Sequence, residues 1–203
     1  MYFLTEIKER LAMNKTDYHI PLYKGDIYHI YNRGNGNENI FYKHENYIYF
    51  LNQYYKFIGN LVDTFAFCLL PNHFHLLVRI KIDAPEILSK AFRNFFISYS
   101  MSINKQQGRK GSLFQRGFKR KLIDDEKYFY AAIYYIHSNP VHHKMIQKLN
   151  NYKYSSYNIL ISEKNTRLQR EEIFDWFNGK ENFIEYHIKK RNKVFDDSFI
   201  LED

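Results

Sequence analysis

Two histidines one residue apart, His73 and His75, lie in the run Pro71-Asn72-His73-Phe74-His75-Leu76-Leu77-Val78-Arg79-Ile80. Successive side chains of a β-strand alternate between faces, so both imidazoles project from one side. Phe74, Leu76, Val78 and Ile80 then form an apolar stripe on the other side, which requires a packing partner. His73, His75 and Arg79 share their face with Leu77 alone. Two imidazoles at this spacing can converge on one divalent metal ion.

A second group lies some sixty residues on. Asp124 or Asp125 can cap a helix that runs from residue 126 to about 138 and is stopped by Asn139-Pro140. At 100° per residue, Phe129, Ile133 and Ile136 form a narrow stripe that must face the core. Tyr128, Tyr135 and Asn139 fall on one flank of it, and Tyr130, Tyr134 and His137 on the other. Tyr135 and Asn139, four apart, are neighbours on the helix surface, placing a potential nucleophile beside a polar group. Spacing alone does not choose Tyr135 over Tyr134.

The charge is uneven. The chain of 203 residues has a net charge of +8. Residues 151–203 carry nine basic against ten acidic side chains, so the excess lies in the first 150. Lys105, Arg109, Lys110, Arg116, Lys119, Arg120 and Lys121 follow one another with no acidic residue between them. Seven uncompensated cations over a loop and a strand suit a phosphate backbone. The aromatic fraction of 19% supplies core, and exposed tyrosine can also stack on bases. A single cysteine, Cys68, excludes an internal disulfide and a cysteine zinc site and reads as a small buried hydrophobe. No apolar run approaches the ~20 residues of a membrane span. The N-terminus lacks the basic-then-apolar layout of a signal peptide, so the chain reads as cytoplasmic.

Several elements must position these groups. Residues 26–32 read as a strand, ended by the loop Arg33-Gly34-Asn35-Gly36-Asn37. Residues 44–59 show helical spacing, 61–70 read as a second strand, and 74–80 return as its hairpin partner. Asp83 can cap a helix through about residue 104 that carries Leu88, Phe92, Phe95, Tyr99 and Ile103 on one face, with Gly108 past its end. Residues 118–123 form a basic fourth strand. The βαββαβ order predicts an α+β, ferredoxin-like layer, two helices over one face of a mainly antiparallel sheet. That packing leaves His73 and His75 on the uncovered face. Residues 1–22 read as an N-terminal arm and 23–150 as the main domain. Residues 151–203 form a helical extension packed on the core, with short helices near 170–177 and 183–187.

The histidine motif, Gly111-Ser112-Leu113-Phe114-Gln115-Arg116 and Tyr135-Ile136-His137-Ser138-Asn139-Pro140-Val141 together resemble the single-tyrosine HUH transposases. The likeness is closest to the REP-associated tyrosine transposases, which process repetitive extragenic palindromes in bacteria. Tyr28-His29-Ile30-Tyr31-Asn32-Arg33-Gly34 resembles their first strand and loop, and the similarity spans roughly residues 20–160. The resemblance implies a catalytic helix on the sheet face opposite the other two. It implies that His73, His75 and Asn139 bind Mg²⁺ or Mn²⁺, and that Tyr135 attacks the scissile phosphate to give a 5′-phosphotyrosine link and a free 3′-OH. It implies single-stranded or hairpin DNA as partner, with Arg33 and Gln115 joining the basic stretch at the DNA. The protein would act as a monomer or homodimer in the bacterial cytoplasm, on the nucleoid when bound. Two other readings exist: a non-catalytic, domesticated DNA-binding relative, and a rolling-circle replication initiator using Tyr130 and Tyr134.

Overall fold

The computed structural model describes residues 21–191; most of the expected N-terminal arm and residues 192–203 lie outside it. Four strands, β1 (Ile27–Arg33), β2 (Val62–Leu70), β3 (His73–Ile80) and β4 (Lys119–Ile123), form one sheet in the order β2-β3-β1-β4. Every pairing is antiparallel. Helices α1 (His44–Phe57) and α2 (Pro85–Gln107) are the crossovers of the βαββαβ unit, and α3 (Glu126–His142) follows β4. The extension holds α4 (Tyr157–Ile161), α5 (Arg170–Trp176) and α6 (Lys180–Arg191). This is the α+β architecture that the alternation predicts. No helix of the described residues is long and apolar enough to cross a membrane.

The apolar stripe of β3 packs as its pattern requires. Phe74, Leu76, Val78 and Ile80 are 1% exposed or less, and the Phe74 ring lies 5.0 Å from Phe50 of α1 and 5.8 Å from Phe96 of α2. Burial of such a side chain contributes about 1.5–3 kcal/mol. The opposite face is not left uncovered. The α3 helix lies across it, so His73 is 3% and His75 0% exposed. The core stripe of α3 docks there, with Phe129 packed edge-on to Phe65 of β2 at 5.3 Å. Counting only the two crossover helices hides this third layer.

Two helix boundaries differ from expectation. Ala84, not Asp83, occupies the N-cap of α2, because Pro85 at the first helical position presets the backbone and needs no amide partner. Asn139-Pro140 does not stop α3 either. Asp125 caps its start by accepting from the Tyr128 amide at 2.7 Å, but the helix runs through Pro140 to His142. A proline that close to the end disturbs little, and the turn closes at Lys144, which has φ 55°.

The extension closes the free edge of β2. Leu69 N–H donates to the Tyr154 carbonyl at 3.0 Å, Ser156 N–H to Phe67 at 2.9 Å, and Gln169 N–H to Thr64 at 3.0 Å. Arg79, on the histidine face, is bridged to Asp63 at 2.7 Å and to Glu172 of α5 at 2.5 Å. Deeper in, a line of hydrogen bonds joins α3, the residue before α4, and α6. His137 of α3 meets Ser156 through Nε2 at 2.8 Å and His187 of α6 through Nδ1 at 2.9 Å. His187 Nδ1 donates to the Phe183 carbonyl at 2.8 Å.

Burial lowers the His187 pKa to about 4. Between that value and the ordinary 6.5, the unfolded chain binds a proton that the folded chain refuses. Stability should therefore be complete above pH 6.5 and fall by about 3 kcal/mol as pH drops to 4, at 1.36 kcal/mol per pH unit. Urea unfolding at pH 7 and pH 5 measures this. A His187→Leu protein should show a shallower dependence whatever its absolute stability, and an unchanged slope would refute the assignment.

Candidate functional site

The site forms where the start of β3, the end of β1 and the last turns of α3 meet. The β1–β3 register sets Tyr31 against His75 and Arg33 against His73. The His73 and His75 rings stand 5.1 Å apart and perpendicular. Tyr135 comes down from α3 onto them, edge-on to His75 at 5.5 Å and to His29 at 6.1 Å. Asn139, one turn further, places Oδ1 3.0 Å from His73 Nε2. His73, His75, Tyr135 and Asn139 therefore share one cluster.

The other tyrosines point elsewhere. Tyr134 lies 6.3 Å from Tyr186 and 5.6 Å from His187, against α6. The Tyr130 hydroxyl donates to the Trp176 carbonyl at 2.5 Å. Both lie on the flank that holds the extension.

Sequence reasoning missed several contributors. His29 Nε2 is 2.9 Å from His75 Nδ1, and the Tyr31 ring stacks on His29 at 4.7 Å. Asn72 holds His73 Nδ1 at 2.7 Å through Oδ1, while its amide donates to Asn37 at 2.6 Å. The longer α3 also brings the His143 ring to 4.9 Å from His73 and His142 to 6.2 Å from Tyr135. The alternation that selected His73 and His75 applies equally to His29 and Tyr31 and could have found them. The loop after β1 is a tight turn held by Gly34, whose amide donates to the Asn72 carbonyl at 2.7 Å. A Cβ at Gly34 would meet the Glu38 carbonyl oxygen at 2.0 Å, so only glycine fits.

Electrostatics keep the buried rings neutral. Burial, then Lys121, lowers the His29 pKa to about 3. Burial also holds His75 well below 6.5, with His29, His73, His143 and Arg33 adding to the effect. His73 has an amide oxygen at each ring nitrogen, and a single ring proton is better placed on the shorter contact, to Asn72. That leaves a bare Nε2 lone pair facing the Asn139 oxygen, and two facing lone pairs suit a shared cation. The Asn139 Nδ2 is buried without a hydrogen-bond partner. The donor set of two imidazoles and one amide therefore fits a divalent ion. Among the described residues, no group of three or more His, Cys, Asp or Glu is arranged to hold a metal. With no carboxylate in the set, the charge of such an ion would be left for an anionic ligand to balance.

The basic stretch divides. Arg33, Gln115 and Lys119 line a cavity of about 200 Å³ with Tyr31, Asn32 and His73. Lys121 stands beside Lys119 on the same face, its Nζ 4.7 Å over the Tyr128 ring. Through Asn32 and Gln115 this cavity adjoins a larger groove of about 530 Å³ that includes Arg93, Arg116, Phe96, Phe114 and Phe118. Arg120 alternates to the other face and stacks over Phe118 at 4.3 Å. Arg109 is not uncompensated, since it pairs with Glu38, which sequence distance concealed. Lys105 and Lys110 are exposed beyond the groove.

No protein-family model matches the chain. It is 30% identical over 109 residues to a Haemophilus influenzae protein that carries the name REP-associated tyrosine transposase. That match covers 47% of this chain and 58% of the relative. The fold is similar to the solved structure of a REP-associated tyrosine transposase bound to a REP hairpin, with a TM-score of 0.62 at 16% identity. The likeness covers 73% of this chain and 87% of the other. The first is a likeness in sequence over part of each chain, and the second is a likeness in fold.

Proposed function

We propose that this chain, akin in sequence and fold to the REP-associated tyrosine transposases, cleaves and rejoins single-stranded DNA beside a hairpin. The observation that carries this reading is the convergence of Tyr135 on His75 with Asn139 on His73, in a cleft lined by Arg33 and Lys119. Arg33 and Lys119 would seat the strand by its phosphates, positioning without reading sequence. Unpaired bases could then stack in the adjoining groove on Phe96, Phe114 and Phe118.

Tyr135 Oη attacks phosphorus, the bond to the 3′ oxygen breaks, and a 5′-phosphotyrosine link and a free 3′-OH result. The phenolic proton is lost and the departing oxygen takes one up, so the step is proton-neutral. The link retains phosphodiester energy, and a second 3′-OH can reverse the step to join a new strand. When bound by His73, His75 and Asn139, Mg²⁺ or Mn²⁺ would polarise a non-bridging phosphate oxygen and balance charge in the transition state. The phosphate supplies the anionic charge that the neutral donor set lacks.

The test is to incubate the protein with hairpin-bearing single strands and Mn²⁺ and resolve products on a denaturing gel. A covalent adduct that disappears with EDTA is expected. Hairpin binding without an adduct under any divalent metal would favour a non-catalytic DNA-binding protein instead.

A further inference from the structure

His73 and His75 are held alike. Each uses Nδ1 for a contact inside the protein, His73 with Asn72 Oδ1 at 2.7 Å and His75 with His29 Nε2 at 2.9 Å. The two rings are within 16° of parallel, and a centroid separation of 5.1 Å with the nitrogens 2.9 Å apart sets them edge to edge, as an imidazole–imidazole hydrogen bond requires. His29 is 0% exposed, and its other nitrogen, Nδ1, is buried without a hydrogen-bond partner. A buried imidazole nitrogen left unpaired is destabilising. A leucine or phenylalanine would fill this part of the core without that cost, so packing does not account for a histidine.

We infer that His29 is a positioning residue that accepts the Nδ1 proton of His75 and so fixes its tautomer, leaving His75 Nε2 unprotonated for ligation. The inference rests on the reading of His75 as an ion ligand. Two neutral imidazoles share one proton in their mutual bond, and only one of the two arrangements suits that role. If His75 Nδ1–H donates, His29 carries its own proton on the unpartnered Nδ1. If His29 Nε2–H donated instead, the proton of His75 would sit on Nε2 and block ligation. Outer partners of this kind fix ring orientation and raise ligand basicity, and losing one weakens metal affinity 10–100-fold. Asn72 does the same for His73 from the β2–β3 turn, so both rings are oriented by neighbours in the sheet layer.

Two measurements test this. In the first, long-range ¹H–¹⁵N spectra of the wild-type protein, without metal and with Mg²⁺, read the tautomers directly. Both His29 and His75 should carry the proton on Nδ1, and a proton on His75 Nε2 in the Mg²⁺-loaded protein would overturn the inference. In the second, Mn²⁺ is titrated calorimetrically into wild type, His29→Gln and His29→Leu. The glutamine amide oxygen can replace the accepting nitrogen, so His29→Gln should stay within about threefold of wild type. His29→Leu should lose 10–100-fold while hairpin binding in EDTA is unchanged. Equal Mn²⁺ affinity in His29→Leu and wild type, or equal losses in both variants, would overturn it. Should His29→Leu fail to fold, the tautomers decide. Wild type that takes up no Mn²⁺ removes the ion from the proposed function, and the His75 tautomer then decides the positioning role alone.

Discussion

Tyr135→Phe protein should bind hairpin DNA as the wild type does and form no covalent adduct. The substitution removes one oxygen and keeps the ring, which fills a buried slot between His75, His29 and His142. Folding and the cationic cleft are left as they were. Tyr134→Phe should retain the adduct, because Tyr134 packs against Tyr186 and His187 on the opposite flank of α3. Mass spectrometry of the adduct peptide gives an independent reading. A phosphodeoxynucleotide on Tyr130 or Tyr134 would reverse the assignment and favour the two-tyrosine replication initiator.

Removing a proposed ligand should be as damaging. His73→Gln and His75→Gln are each expected to weaken Mn²⁺ binding by more than about 100-fold, beyond the 10–100-fold typical of an outer-shell loss. Cleavage should become undetectable, and hairpin affinity in EDTA should stay within a few-fold, because the cations lie on β1, β4 and the segment before β4. Glutamine is the better probe because both rings are buried. Alanine at His75 would open a cavity, and large-to-small changes in a core cost about 2–5 kcal/mol, which confuses lost chemistry with lost stability. Calorimetric titration and the adduct assay on the same preparations separate the two. A fully active glutamine variant would show that its ring is structural.

Much of the fold was legible because it rests on local pattern. The alternation in β3 located both histidines and the stripe facing α1 and α2, and Gly108, with φ 62°, ends α2 where the sequence places it. Helical phase put Tyr135 and Asn139 on one flank of α3 and Tyr130, Tyr134 and His137 on the other, and the packing follows that division. Long-range pairing was not legible. Nothing in the run from Lys105 to Lys121 reveals that Glu38 neutralises Arg109. No local rule brings His29 to His75, because that depends on β1 pairing with β3 rather than β2. The face covered by α3 was legible from the family resemblance and not from the residue pattern, since a strand carrying histidine and arginine looks solvated until the helix above it is counted. Proline misled at Pro140, where two further residues of helix bring His142 and His143 to the site.

The sheet ends differently on its two sides, and this governs how copies of the chain can meet. An unpaired strand edge is a template for another strand. At β2 that template is used up by the chain itself, so an incoming strand would first have to displace residues 154–156 and 168–169. Among the described residues no segment pairs with the β4 edge, but this strand carries Lys119, Arg120 and Lys121 in succession, and two copies approaching there would bring these cations together. Solutions of the protein should therefore resist edge-to-edge fibre growth at low ionic strength. Growth would be favoured only when salt or a polyanion masks β4, so the ligand that engages this strand would also lift its protection against aggregation.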